Sequence, residues 1–116
     1  MVNKFIEKLF SPTGLPIAYR FFKPKKNKPV PEPPYLVYLI KDESGYGADE
    51  KNLISNKSVT VELYSDKKSF DLEATIEEII SAYEYRKHEE FIESEEMWQV
   101  SYEFEIYEKL GGIRNE

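Results

Sequence analysis

Apolar and polar residues alternate in Ser58–Tyr64: Val59, Val61 and Leu63 fall on one side, Ser58, Thr60, Glu62 and Tyr64 on the other. This period of two predicts a half-buried strand. Ser65, Asp66, Lys67, Lys68 and Ser69 supply turn and cap chemistry. Leu72, Ile76, Ile79, Ile80 and Tyr83 then recur at helical spacing, predicting a helix with one buried stripe. Glu73, Glu77 and Glu78 are expected to fall away from that stripe. The period changes within five residues, so the helix can fold back onto the sheet that holds its strand.

The rest of the chain follows the same logic. Phe5, Ile6, Leu9 and Phe10 share a face, predicting a short helix over Val2–Phe10. Ser11, Pro12, Thr13, Gly14 and Pro16 end it. Ile17–Phe22 is expected to be a strand. Lys23–Pro34 holds five of the seven prolines and four lysines, which predicts a mobile, extended loop of polyproline type. Tyr35–Lys41 is almost continuously apolar, as in a strand covered on both faces. Asp42–Asn56 is a polar loop. Tyr83–Glu93 alternates imperfectly, predicting a strand with a bulge near His88–Glu90. Ser94–Glu96 is a turn. The last strand sets Trp98, Val100, Tyr102, Phe104 and Ile106 against Gln99, Ser101, Glu103, Glu105 and Tyr107. The tail, 110–116, is expected to fray. The expected fold is a single α+β domain over 1–116. It is a mainly antiparallel sheet of about five strands with two helices on one face, ordered α-β-β-β-α-β-β.

Composition narrows this picture. At 116 residues the chain has room for one modest core, and 15% aromatic residues are too many for a disordered segment. No apolar run approaches the roughly 20 residues that span a bilayer, so no membrane association is expected. Met1–Phe10 has internal charges and no small-residue cleavage site, unlike a signal peptide. The chain contains no cysteine, which rules out disulfides, thiolate metal ligands and a thiol nucleophile, and fits a reducing cytoplasm.

The net charge of −6 is unevenly distributed. Residues 1–34 carry seven Lys/Arg against two acids, and the remainder carries nine against twenty. A basic segment on an acidic body can join copies head to tail, although a solvated basic loop has the same composition.

Catalytic patterns are weak. His88 is the one histidine, and with Glu89, Glu90, Glu93, Glu95 and Glu96 it makes an oxygen-rich cluster without a cation-loop order. Solvated acids at a hairpin tip account for it better. No Ser lies in a GxSxG turn, and Gly45-Tyr46-Gly47 lacks the length and ending of a phosphate cradle. No enzymatic activity and no cofactor or metal is expected. Specific DNA reading is opposed by the acidic body. An acidic wall does suit a channel through which DNA slides without sticking. Nine tyrosines exceed the needs of a small core, which points to contacts with other chains.

Several stretches carry a resemblance. They are Thr13-Gly14-Leu15-Pro16-Ile17-Ala18-Tyr19, Pro33-Pro34-Tyr35-Leu36-Val37-Tyr38-Leu39, and the loop with Tyr46 and Ala48-Asp49. To these add Val59-Thr60-Val61-Glu62-Leu63-Tyr64 with Lys67-Lys68, and Leu72-Glu73-Ala74 with Ile76-Glu77. Glu95-Glu96-Met97-Trp98-Gln99-Val100 and Tyr102-Glu103-Phe104 complete the set. Together they resemble the small tail-completion, or tail-terminator-like, proteins of long-tailed bacteriophages and Gram-positive prophages. The stretch Lys23–Pro31 is longer and more basic than the family pattern.

The resemblance implies a non-enzymatic virion-assembly protein, made in the bacterial cytoplasm and placed at the head–tail interface. It implies a ring of copies, usually a hexamer, that caps the tail tube. Its partners would be the major tail tube protein and a head-neck protein, with DNA passing through non-specifically. Candidate interface residues are Lys23, Lys25, Lys26, Lys28, Tyr46, Asp49, Glu50, Glu95 and Glu96. A head-side neck protein and a bacterial protein-binding adaptor are the alternative readings.

Overall fold

A computed structural model describes residues 2–24, 29–42, 54–109 and 112–114. Helix α1 (Val2–Leu9) leads through a short 3-10 turn (Ser11–Thr13) into strand β1 (Ile17–Tyr19). Strands β2 (Tyr35–Asp42) and β3 (Ile54–Ser65) precede helix α2 (Phe70–Ile79). Strands β4 (Tyr85–Ile92), β5 (Met97–Lys109) and β6 (Gly112–Arg114) follow. The architecture is α+β, with the expected order of helices and principal strands.

The sheet runs β1-β2-β3-β5-β4, and β6 also pairs with β5. It is mostly antiparallel, but β1 pairs parallel to β2, with Ile17 opposite Leu36. Because β3 and β6 both pair with Tyr107–Lys109 of β5, β6 lies on the β4 side of β5. Strand β5 sits between β3 and β4, so α2 carries the chain from β3 over β5 to β4, which lies parallel to β3. Parallel strands cannot be joined by a tight turn and need such a crossover.

Both helices cover the same face. The register aligns Leu36, Leu63 and Val100, then Tyr38, Val61 and Tyr102, then Val59 and Phe104, across β2, β3 and β5. Val2, Ile6 and Phe10 from the first helix and Ile76 and Ile80 from the second close over these rows. Burying each of these side chains contributes about 1.5–3 kcal/mol.

Several details differ from the sequence-based expectation. Strand β1 stops at Tyr19 because Arg20 adopts φ 72°, and the Phe21 N–H donates back to the Tyr19 carbonyl at 2.8 Å. Phe21 and Phe22 therefore leave the sheet and cross to its other face. Strand β4 carries no bulge, since its register with β5 is continuous from Tyr85–Phe104 to Ile92–Met97. Its uneven apolar pattern arises because it is an exposed strand at the end of the order. Gly112–Arg114 of the supposed fraying tail pairs with Tyr107–Lys109. Glu73 is buried at 3% exposure rather than turned to solvent.

Candidate interaction surface

The sheet face opposite the helices is set by the same register. It presents Tyr35 and Val37 from β2, and Ser58, Thr60, Glu62 and Tyr64 from β3. Gln99, Ser101, Glu103 and Glu105 come from β5, and Arg86, His88 and Glu90 from β4. Four carboxylates thus stand on this face. Three of them accept hydrogen bonds from neighbouring side chains. The Ser58 hydroxyl donates to Glu103 at 3.1 Å, and the Asn56 amide donates to Glu105 at 3.2 Å. The Tyr64 hydroxyl donates to Glu62 at 2.9 Å and accepts from the Gln99 amide at 2.7 Å. Burial, together with the Glu62 carboxylate, pushes the Tyr64 phenol up to about 12, so it stays a neutral donor.

At the β1 side an aromatic groove forms over this face. Arg20, Phe21, Phe22, Val30, Tyr35, Val37, Tyr64 and Glu95 line about 220 Å³. Phe22 meets Tyr35 edge-on at 5.2 Å, and Tyr35 stacks on Tyr64 at 5.4 Å. Val37, on the face away from the helices, is only 5% exposed. The continuously apolar β2 is thereby explained: helices cover one side, and the turn after β1 covers part of the other.

One of the sequence-nominated residues lies in this groove and a second touches one of its residues. Glu95 lines it, and burial plus this carboxylate raise the Tyr35 phenol. The Lys23 ammonium lies 5.8 Å from the centre of the Phe21 ring, a groove residue. Glu96 adopts φ 51° in the turn between β4 and β5 and donates its N–H to the Glu93 carbonyl. Lys25, Lys26, Lys28, Tyr46, Asp49 and Glu50 lie outside the described residues.

The acidic cluster around His88 is dispersed. His88 is 72% exposed on the open face, with Nε2 3.8 Å from a Glu90 oxygen. Glu89 points to the helix side and meets Lys68 at 3.2 Å. Among the described residues, no three His, Cys, Asp or Glu side chains converge to hold a metal.

Sequence reasoning missed the densest polar cluster, on the helix side. Lys68 and Lys87 both bind Glu73, the latter at 2.9 Å. Lys87 also meets Glu77 at 2.7 Å, and the Tyr102 hydroxyl donates to the same Glu77 oxygen at 2.8 Å. Burial alone would raise the Glu73 carboxyl, but hydrogen bonds from both lysines more than offset it and hold it low. The Lys87 hydrogen bond does the same for Glu77 against a smaller burial effect. The carboxylates are satisfied by lysines and a phenol, which makes the cluster a tie between α2, β4 and β5. The one available signal was the i, i+3, i+7 spacing of Glu73, Ile76 and Ile80.

Comparison with protein-family models, with characterised proteins and with solved structures yields no match for this chain. Among the described residues, no helix is long and apolar enough to cross a membrane.

Proposed function

We propose that this chain is a tail-completion protein of a long-tailed bacteriophage or prophage, a structural component without catalytic activity. In this reading copies assemble as a six-membered ring that caps the tail tube and offers the surface on which the head docks. The observation that carries it is the open sheet face, where Glu62, Glu90, Glu103 and Glu105 outnumber Lys41 and Arg86 among Ser, Thr and Gln side chains. Such a wall repels phosphate and suits a channel through which DNA slides without binding. Glu95 in the groove, and Lys23 against the groove residue Phe21, offer charges of both signs for the complementary contacts that a head-to-tail ring interface needs.

The test is electron microscopy of phage tails assembled without this protein. Overlong tails that do not join heads are the expected result. Tails of normal length joined to heads would overturn the reading. Normal-length tails that fail to join heads would assign the chain to the neck instead. Reversing Lys23, Lys25, Lys26 and Lys28 to Glu should weaken assembly in a salt-dependent way. Unaltered assembly at low salt would remove the electrostatic part of the proposal.

A further inference from the structure

We infer that the outer edge of β4 is a self-complementary docking strand for β4 of a second copy of this chain. The pairing is antiparallel, about a two-fold axis through His88. Strand β4 stands at the end of the strand order, so one of its edges has no neighbouring strand among the described residues. Every residue from Tyr85 to Phe91 is exposed. An unpaired edge of eight residues offers a row of N–H and C=O groups for another strand.

The sequence of that edge specifies the partner. Tyr85, Lys87, Glu89 and Phe91 point to the helix side of the sheet, and Arg86, His88 and Glu90 point to the open side. A two-fold axis perpendicular to the sheet keeps each set on its own side and puts one residue opposite its own copy. With His88 at the axis, Arg86 faces Glu90 of the second copy, Lys87 faces Glu89, and Tyr85 faces Phe91. Every charged pair is then of opposite sign and occurs twice. Each such cross-strand pair contributes roughly 0.2–1 kcal/mol. Moving the axis to Arg86, Lys87, Glu89 or Glu90 puts identical charges in direct opposition, which is destabilising. Charge therefore selects one register of five.

The side chains are exposed, with Lys87 and Glu89 also holding Glu73, Glu77 and Lys68 within the chain. Arg86 is 83% exposed, with Nε 3.8 Å from its nearest intrachain carboxylate on Glu103. Tyr85 and Phe91, at 37% and 43% exposure, are large apolar side chains left open at the two ends of the strand. On the helix side, Lys87 of one copy facing Glu89 of the other continues the Lys68–Glu73–Lys87 ion-pair network across the seam. A two-fold pair closes on itself and is distinct from a ring interface. It uses neither the groove beside Tyr35 nor the basic segment, so its failure and that of the tail-completion reading are separate results.

The absence of cysteine makes the register directly readable. Residues directly opposite in an antiparallel pair lie about 4.5–5.5 Å apart at Cα, within the roughly 4.4–6.8 Å span of a disulfide. His88→Cys in the full chain should give a disulfide-linked dimer on mild oxidation. Arg86→Cys should not, because residue 86 and its copy are offset by about 13 Å along the strand. In sedimentation, Arg86→Glu should weaken the dimer at least about tenfold, and Arg86→Glu with Glu90→Arg should restore it. The inference is overturned if the unaltered chain stays monomeric at the highest soluble concentration. It is also overturned if position 86 cross-links as readily as position 88, or if the double reversal fails to restore association.

Discussion

Glu73 is a carboxylate buried on a helix, yet it bonds two lysines that come from different elements. Removing one member of a fully buried ion pair costs about 3–5 kcal/mol. Glu73→Ala should cost less, about 2–3 kcal/mol in a urea titration, because Lys68 keeps Glu89, Lys87 keeps Glu77, and Lys87 is a third exposed. The sign of the pH effect follows from the same contacts. Glu73 and Glu77 are held below the ordinary carboxyl value in the folded chain. Their contribution is complete above the unfolded value of about 4.3 and is lost as pH falls through the lower folded values. Stability should therefore decline on acidification below about pH 5, and Glu73→Gln should flatten that decline. An identical acid limb in the variant would show that other groups govern it. This residue was misread from sequence for a physical reason. A stripe is recognised by its apolar members, whereas Glu73 is admitted to the interior by Lys68 in the preceding turn and by Lys87, fourteen positions away on strand β4.

Helix α2 begins where its cap allows. Ser69 is extended, and its hydroxyl accepts the Leu72 N–H at 3.3 Å, while Asp71 and Glu73 occupy the first turn. Ser69→Ala should destabilise the protein by about 1 kcal/mol, read as a lower urea midpoint with an unchanged slope. A changed slope would mean that the unfolded state, not the cap, was altered. This element was legible because its signals are local: alternation in β3, turn residues at 65–69, and apolar residues at helical spacing after them. Strand β5 was legible for the same reason. The parallel pairing of β1 was not, because period two records which face a residue takes and not which way a neighbour runs. The end of β1 was missed because it depends on the left-handed backbone of Arg20, a residue type that gives no warning of it. The groove was unreadable too. Phe21 and Phe22 look like strand residues until that turn sends them across the sheet.

Across the whole molecule, the three-strand register over β2, β3 and β5 places the core at the centre of the sheet. Core side chains of β5 from Val100 to Ile106 are almost fully buried, and its residues 98–104 have paired neighbours on both sides. Amide hydrogen exchange should be slowest there and faster in the three-residue β1. Equal protection in β1 and β5 would contradict this layout.

The position of β5 also bears on the chain's birth. Strands β3 and β4 leave a synthesising ribosome before the strand that must fit between them. Until residues 97–109 emerge, β4 shares no ladder with the rest of the sheet, and the apolar side chains of β3 lack their β5 neighbours. The nascent chain must hold β3 and β4 apart until residues 97–109 arrive, a window in which a folding helper has something to grip.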